Sequence, residues 1–257
     1  MNDFQKIIKT IRCFSGSYSA VSGSRVKVIQ EVMITVRVNK TPLANIACAG
    51  IHLEELAAGF LRSEKIITRR QDIENISLAK NRVDVLLKNK NFFPDVSVKN
   101  IASSGARGRS NVALLTPLNV PAGLSINTAL ALKLMDDLLN SSAIHNETSG
   151  THCSALAFRK KIAALREDIG RHNTIDMLGG YALLNKLNLH RAIILTTGRI
   201  SSEIVYKIWN MGVPFIISHS APTANAVTLA KQANITLIGY VRKGRMSIYS
   251  HERRVII

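Results

Sequence analysis

The C-terminal part of the chain alternates strands with helices at a regular spacing, and this constrains the fold more than any other feature. The run RAIILTTG (191–198) is typical of a buried strand, SSEIVYKIWNMG (201–212) of a helix and VPFIISHS (213–220) of a second strand. APTANAVTLAKQAN (221–234) and ITLIGYVRKG (235–244) continue with a helix and a strand. Such alternation is typical of βαβ crossovers, so the sequence predicts a largely parallel sheet covered by helices on both faces.

The segment before this alternation completes the predicted α/β domain. A helix is predicted from Ser125, its cap, to Leu139. SALAFRKKIAALRED (154–168) has the pattern of a hairpin of two strands. RHNTIDMLGGYALLNKL (171–187) places apolar residues on one helical face.

The first part of the chain is richer in strands. RVKVIQEVMITVRVNKTPL (25–43) alternates apolar and polar residues as a strand running into a turn does, and RVDVLLK (82–88) predicts another strand. IHLEELAAGFLRSEKII (51–67) between them predicts a helix. We therefore expect a β-rich N-terminal subdomain with one helix over residues 1–95 and an α/β domain over residues 96–257.

Charge and composition narrow the possible partners. The chain has 34 Lys and Arg against 17 Asp and Glu, a formal net charge of +17. Such a field attracts nucleic acid, anionic lipid or a phosphate-bearing ligand, although a solvated basic surface explains the same count. Aromatic residues make up 5% of the chain and no RNA-binding aromatic motif is present, which disfavours nucleic acid.

The expected location is the cytoplasm, without a membrane partner. No apolar run approaches the roughly 18 residues that span a bilayer, and the N-terminus lacks the pattern of a signal peptide. The three cysteines, Cys13, Cys48 and Cys153, are odd in number and far apart, so neither a disulfide framework nor a C-x-x-C zinc site is present.

Polar segments stand where the predicted strands end. Ligands of open α/β sheets bind at the carboxyl ends of the strands, where these segments should meet. Three of the four are followed by a helix, whose free backbone N–H groups attract anions. We call the four segments together the C-terminal rim: RED (166–168), TTGR (196–199), SHSAPT (218–223) and GYVRKGR (239–245).

The stretch REDIGRHNTID (166–176) gathers many different polar groups at one bend of the chain. A large, multiply charged anion could be bound by all of these groups together. In this interpretation Asp168 is the acceptor at the end of the strand and Gly170 permits a sharp turn. The next helix opens with Arg171, His172 and Asn173, which face the rim. Taken singly, these residues have a simpler interpretation. Asp168 and Asn173 would then be ordinary caps, and Arg171 would pair with Glu167.

Several segments of the sequence resemble the FdhD family, the formate dehydrogenase accessory sulfurtransferases. The segments that resemble the family are REDIGRHNTID, TTGRISSEIV, SHSAPTANAV and GYVRKGRMSIYSHERRV, with ITVRVNKTPL and LEELAAGFLRSEKII in the first half. The resemblance implies a cytidine-deaminase-like fold for the α/β domain, without zinc chemistry. It also implies a cytosolic homodimer that takes persulfide sulfur from a cysteine desulfurase for formate dehydrogenase. The sulfur is delivered to the molybdenum of the bis-pyranopterin guanine dinucleotide cofactor.

The resemblance also implies a cofactor-binding motif. YVRKGR matches the F-V-R-x-G-R of the family and consists of Tyr240, Val241, Arg242, Lys243, Gly244 and Arg245. Arg242 and Arg245 would bind phosphates and Gly244 would allow a close approach, while Arg171 and His172 close the opposite side. GDP is the expected surrogate ligand.

One segment departs from the family. Members usually carry a cysteine pair, S-C-G-x-C-G, where this chain has Ser103, Ser104, Gly105, Ala106, Arg107 and Gly108, followed by Arg109. Serine cannot replace the thiolate that holds a sulfane sulfur. Arg107 and Arg109 among glycines would instead suit an anion-binding loop.

The remaining candidate for sulfur transfer is Cys153. His152 would lower its thiol pKa, although a buried, inert cysteine fits the same context. Cys48 is expected in the core, and Cys13 is remote in sequence from the rim. His152 aligns with a metal-ligand position of the deaminases, but Ser154 stands in place of their catalytic Glu and no P-C-x-x-C follows, so we expect no metal. Two functions therefore stay open, a sulfur-transferring accessory protein and a binding module that holds the cofactor or a guanine nucleotide without moving sulfur.

Overall fold

The computed structural model describes residues 6–16, 21–92, 99–101 and 115–257. The α-helices of these residues are α1 (Leu53–Ser63), α2 (Thr128–Ser141), α3 (Ala143–Thr148), α4 (Arg171–Leu184), α5 (Ser202–Met211) and α6 (Ala224–Gln232). The strands of the N-terminal part are β1 (Ile8–Gly16), β2 (Val21–Ile29), β3 (Val32–Val38), β4 (Thr41–Cys48), β5 (Ile73–Ala79), β6 (Arg82–Leu87) and β7 (Lys99–Ile101). Those that follow are β8 (Ile126–Asn127), β9 (His152–Phe158), β10 (Lys161–Asp168), β11 (Ala192–Thr196), β12 (Phe215–Ser218), β13 (Thr236–Arg242), β14 (Arg245–Ser250) and β15 (Val255–Ile256). Among the described residues, no helix is long and apolar enough to cross a membrane.

The C-terminal part is built on a six-stranded sheet with the order β10-β9-β11-β12-β13-β14. The strands β11, β12 and β13 are parallel, and β9, β10 and β14 join them by antiparallel pairing. The predicted α/β class with a smaller β-rich N-terminal part is confirmed, with parallel pairing confined to the centre of the sheet. Because β10 and β11 are both antiparallel to β9, they run in the same direction and end at the same edge.

Helices cover both faces of this sheet. On one face, a core formed by α4, α5 and α6 includes Leu178, Ile208 and Leu229 and packs on Ile194 and Ile216. On the other face, α2 packs its leucines against the alternate residues of the same strands. Asn127, not Ser125, caps α2, because its side chain accepts the Ala129 N–H at 2.8 Å.

The N-terminal part is a five-stranded sheet with the order β5-β6-β3-β4-β7, covered by α1. Its last strand, β7, lies beyond residue 95, so this sheet extends past the boundary predicted from the sequence. The strand predicted over residues 25–43 is divided at Gln30 and Glu31. The first piece, β2, pairs with β1 in a separate two-stranded ribbon, whereas β3 belongs to the main sheet.

The two parts meet where α1 crosses α4. A Cβ atom at Gly59 would lie 1.7 Å from the carbonyl oxygen of Asp176, and one at Gly180 would lie 1.8 Å from that of Glu55. Glycine is therefore required on both helices for this approach of the two backbones. Met177 and Leu183 of α4 belong to the core beneath the N-terminal sheet, so α4 contributes to the cores of both parts.

Candidate anion-binding rim

The sheet topology brings the four segments of the C-terminal rim to one edge. Asp168 at the end of β10 is opposite His152, and Thr196 at the end of β11 is opposite Ser218. The backbone N–H of His219 donates to Thr196 at 3.0 Å, and that of Tyr240 donates to Ser220 at 3.1 Å. The first residue of β9, His152, lies at this edge as well because β9 is antiparallel to its neighbours.

Asp168 and Asn173 lie in the interior rather than on the open side of the rim. Asp168 is 0% exposed and accepts hydrogen bonds from Ala49 N, Gly170 N and Asn173 Nδ2 at 2.8, 2.9 and 2.6 Å. Asn173 also donates to the carbonyl of Ala47 at 2.8 Å. Burial raises the pKa of Asp168 to about 6, and the three donors counteract that rise. These contacts tie the start of α4 to the end of β4 in the N-terminal part.

Arg171 faces the rim from the first turn of α4. Its Nε atom is buried and has no hydrogen-bond partner among the described residues. Burial lowers the pKa of Arg171, the nearby Arg199 lowers it further, and Glu203 opposes both effects. The predicted pairing of Arg171 with Glu167 is absent from the ion pairs of the described residues, because Glu167 accepts the backbone N–H groups of Ile144 and His145.

Two contacts hold this side of the rim together. His172 is 4% exposed, and its Nε2 lies 3.2 Å from Oε2 of Glu203 at the start of α5. A Cβ atom at Gly198 would lie 2.9 Å from Cβ of Arg171, so glycine allows the TTGR segment to approach α4.

The YVRKGR motif forms the turn between β13 and β14. Lys243 and Gly244 both have positive φ, 50° and 70°, as the central residues of a type I′ hairpin do. The Arg242 guanidinium stacks on the Tyr240 ring, with Cζ 3.6 Å from the centroid. Val241 is 1% exposed and belongs to the core beneath α2. Arg242 and Arg245 are exposed and lie opposite each other at the turn, so the motif presents two guanidinium groups to solvent.

A cavity of about 400 Å³ opens at the rim, and it contains a feature that the sequence reasoning missed. Three histidines from three separate elements line it: His145 of α3, His152 of β9 and His219 after β12. Burial lowers the pKa of His152, and Arg171 and then His145 lower it further. Burial likewise lowers the pKa of His219, followed by Arg242 and His145. The cavity therefore lies between the Arg171 side and the Arg242 side of the rim.

Only part of this cavity was within reach of sequence reasoning. His152 and His219 adjoin the ends of predicted strands, which is a usable signal. His145 lies in a short helix that the sequence did not predict. Within the residues that the structure describes, no group of three or more His, Cys, Asp or Glu side chains is arranged to hold a metal ion.

The environment of Cys153 differs from that of a reactive thiol. The residue is 0% exposed, and its Sγ donates to Oε1 of Glu167 at 3.3 Å. Burial raises the pKa of Cys153 to about 12, and Glu167 adds to the rise. Of the two alternatives for Cys153, the buried, inert cysteine agrees with the structure and a pKa lowered by His152 does not, because desolvation and a neighbouring carboxylate both favour the neutral thiol.

The other sequence-based candidates for sulfur chemistry are placed as follows. Cys48 is 0% exposed in the core, as predicted, and burial raises its pKa to about 12. Cys13 lies on β1, partly buried, with Sγ 3.0 Å from Oγ of Ser24. The segment from Ser103 to Arg109, where the family carries its cysteine pair, lies outside the described residues, and its anion-binding role stays a prediction.

Comparisons with known proteins identify the family. The model of the FdhD/NarQ family matches residues 29–256. The chain belongs to this family. It is 32% identical to the sulfur carrier protein FdhD of Bacillus subtilis (strain 168) over 99% of both chains, and 35% identical to that of Staphylococcus aureus (strain MRSA252) over 89% of both chains. A crystal structure from Desulfotalea psychrophila, described as a formate dehydrogenase accessory protein, superposes with a TM-score of 0.80 at 21% identity, covering 97% of this chain and 100% of that one. That likeness shows the fold.

Proposed function

We propose that the chain is a cytoplasmic accessory protein of formate dehydrogenase. In this proposal it binds the molybdenum bis-pyranopterin guanine dinucleotide cofactor at the C-terminal rim. Membership of the FdhD/NarQ family supports the link to formate dehydrogenase, since the structural relative carries that description. The cofactor, cargo in this proposal, is a large anion with several phosphates.

The observation that carries the proposal is the arrangement of cations around the rim cavity. Arg171 has a buried Nε atom without a hydrogen-bond partner among the described residues, which suits an anion as its acceptor. Arg242 and Arg245 are exposed at the hairpin turn on the other side. The residues present therefore fit a phosphate-rich ligand. Asp168 and Asn173, predicted as direct contacts, would act by positioning the start of α4, because they are buried.

The test is the binding of GDP to a variant that lacks both hairpin arginines, Arg242→Ala with Arg245→Ala. We expect its affinity for GDP to fall at least tenfold, because hydrogen bonds from a guanidinium to a phosphate contribute about 1.5–3 kcal/mol each. The matched control is Arg69→Ala with Arg82→Ala, which removes the same charge from exposed positions of the N-terminal part. Equal GDP affinity of the two double variants would refute the assignment of the hairpin.

Sulfur transfer is the second candidate, favoured by the name of the relatives, which are sulfur carriers. The geometry of Cys153 does not support it as the carrier, since a persulfide donor must reach a thiolate and this thiol is buried beside a carboxylate. We therefore favour a protein that binds the cofactor and does not transfer sulfur through Cys153. Mass spectrometry of the intact protein after treatment with a cysteine desulfurase and cysteine tests it. Our version predicts no sulfur on Cys153, and a gain of one sulfur atom that Cys153→Ser abolishes would overturn it.

The same proposal includes the homodimer that the resemblance implies, together with formate dehydrogenase and a cysteine desulfurase as partners. Light scattering coupled to size-exclusion chromatography tests whether the protein is a homodimer. A monomer at micromolar concentration would count against that part alone.

A further inference from the structure

The three histidines that line the rim cavity are held by different parts of the fold. Nδ1 of His145 is 2.6 Å from the carbonyl oxygen of Thr151, and its backbone N–H donates to Glu167 at 2.7 Å. His152 begins β9, and His219 follows β12, fixed by its backbone hydrogen bond to Thr196. Neighbouring elements therefore fix the ring of His145 and the backbones of His152 and His219, and the cavity that the three residues line measures about 400 Å³.

The charged groups around this cavity are mostly cations. Arg171 of α4 lies near His152, Arg242 of β13 lies near His219, and Arg199 of the TTGR segment lies near Arg171. The carboxylates of the surrounding elements have other partners. Glu167 accepts two backbone N–H groups and the Cys153 thiol, and Glu203 pairs with His172 and also offsets part of the positive charge near Arg171. Asp168 accepts three hydrogen bonds in the interior.

Burial is the main effect that disfavours imidazolium in the cavity when no anion is bound, and the surrounding positive charges add to it. His152 is close enough to Arg171 and His145, and His219 to Arg242 and His145, for the positive charges to oppose protonation. A phosphate group reverses the situation, because it neutralises the arginines and accepts hydrogen bonds from both ring nitrogens of a protonated histidine.

We infer that anion binding at the C-terminal rim is proton-coupled, with His152 and His219 taking up protons from solvent as a phosphate-bearing ligand enters. The two imidazolium rings then donate N–H hydrogen bonds to the ligand, and release of the ligand returns the protons. This inference rests on the proposed function and assigns to the same site a dependence on pH.

The direction in which pH changes the affinity for the ligand follows from the linkage between proton binding and ligand binding. Since the bound state holds more protons than the free state, affinity rises as the pH falls, by roughly tenfold per pH unit for each proton taken up. The effect vanishes above the pKa of the histidines in the complex, where neither state is protonated. It also vanishes below their pKa in the free protein, where both states are protonated.

The ligand used in this test should not itself gain or lose protons in the pH range in which histidine titrates. The terminal phosphate of GDP has a pKa near that of other phosphate monoesters, about 6, and would confuse the result. Di(guanosine) diphosphate contains only internal phosphates, whose charge is constant near neutrality. Isothermal titration calorimetry with this ligand between about pH 5.5 and 8.5 gives the affinity. Repeating it at one pH in two buffers of different ionisation enthalpy gives the number of protons taken up.

We expect tighter binding at lower pH and an uptake of about one proton or more near pH 6.5, the ordinary pKa of histidine. His152→Gln with His219→Gln should flatten the pH dependence, whereas His190→Gln, an exposed histidine away from the rim, should leave the slope unchanged. Histidine NMR signals of the wild-type protein provide a measurement without a variant. Their titration should move to higher pH when the ligand is added.

The outcomes separate the inference from the proposed function. If neither GDP nor di(guanosine) diphosphate binds at any pH, the proposed function fails and the inference with it. If di(guanosine) diphosphate binds with the same affinity across the range and without proton uptake, the proposed function stands and the inference alone is overturned. A double variant with the slope of the wild type would also overturn it, because the protons would then be taken up elsewhere.

Discussion

The crossing of α1 and α4 predicts opposite effects for two neighbouring glycines of α4. A Cβ atom at Gly180 would lie 1.8 Å from the carbonyl oxygen of Glu55 on α1, whereas one at Gly179 would meet only the Met211 side chain, at 3.4 Å or more. The first obstacle is backbone and the second is a flexible side chain. Gly180→Ala must therefore push the two helices apart, and Gly179→Ala needs no such movement.

The magnitudes follow from two opposing terms. Alanine gains about 1 kcal/mol over glycine inside a helix, and this gain applies at both positions. Overpacking of a dense core typically costs about 1–3 kcal/mol, and a clash with an immobile backbone lies at the upper end or beyond. We therefore expect Gly180→Ala to reduce the free energy of unfolding by about 2 kcal/mol or more. Gly179→Ala should leave it unchanged or raise it by up to about 1 kcal/mol.

Thermal unfolding followed by circular dichroism measures the difference in stability between the two variants. For a chain of this size, about 2–4 °C of Tm corresponds to 1 kcal/mol, so Gly180→Ala should lower the Tm by at least about 4–8 °C. Gly179→Ala is the matched control, with the same substitution one residue away. A Tm of Gly180→Ala equal to that of Gly179→Ala would refute the reasoning, because the two helices would then be free to separate at no cost.

Three further predictions concern buried polar groups. Lys207→Met should lower the free energy of unfolding by about 3–5 kcal/mol in urea titrations, since it leaves the carboxylate of Asp176 buried without its cation, and an effect under 1 kcal/mol would contradict this. Asp168 has a pKa raised from 3.8 to about 6, so its contribution to stability is largest below the first value and is lost as the pH rises through the second. The stability advantage of the wild type over Asp168→Asn, measured by urea titration, should therefore shrink between about pH 4 and pH 7, and an advantage that grows would refute this. In native protein, a thiol reagent should modify Cys13 within minutes and Cys153 only on unfolding, and rapid modification of Cys153 would show that its buried position is transient.

The class of the fold could be predicted because the pattern of each C-terminal element is local. Buried runs such as 191–198 and the helix of residues 171–187 need no knowledge of the partner element. The edge at which the four rim segments meet followed from one rule about parallel strands, and the structure brings these segments together. That part of the site was therefore accessible from the sequence.

The parts that sequence reasoning missed depend on distant partners. The break between β2 and β3 is not visible in the alternation of residues 25–43, because the two pieces share that alternation and differ in their partner strands and in their burial. The pKa of Cys153 depends on Glu167, its partner across the hairpin, and on burial, neither of which follows from the adjacent His152. His145 reaches the cavity from a short helix whose position is set by tertiary contacts.

The polar residues of REDIGRHNTID are numerous because some connect elements of the fold and others lie at the candidate binding site. Most of them face inward and connect α4 and β10 to other elements. Arg166 donates to Glu55 of α1 at 2.7 Å, Asp168 accepts from Ala49, and Asp176 binds Lys207 and Ser63. Such buried groups require partners, and several of these partners, among them Glu55, Ala49 and Ser63, belong to the N-terminal part. Arg171 faces the rim, at the first turn of a helix that these contacts hold in place. Binding at the rim should therefore depend on the N-terminal part, although none of its described residues lines the rim cavity.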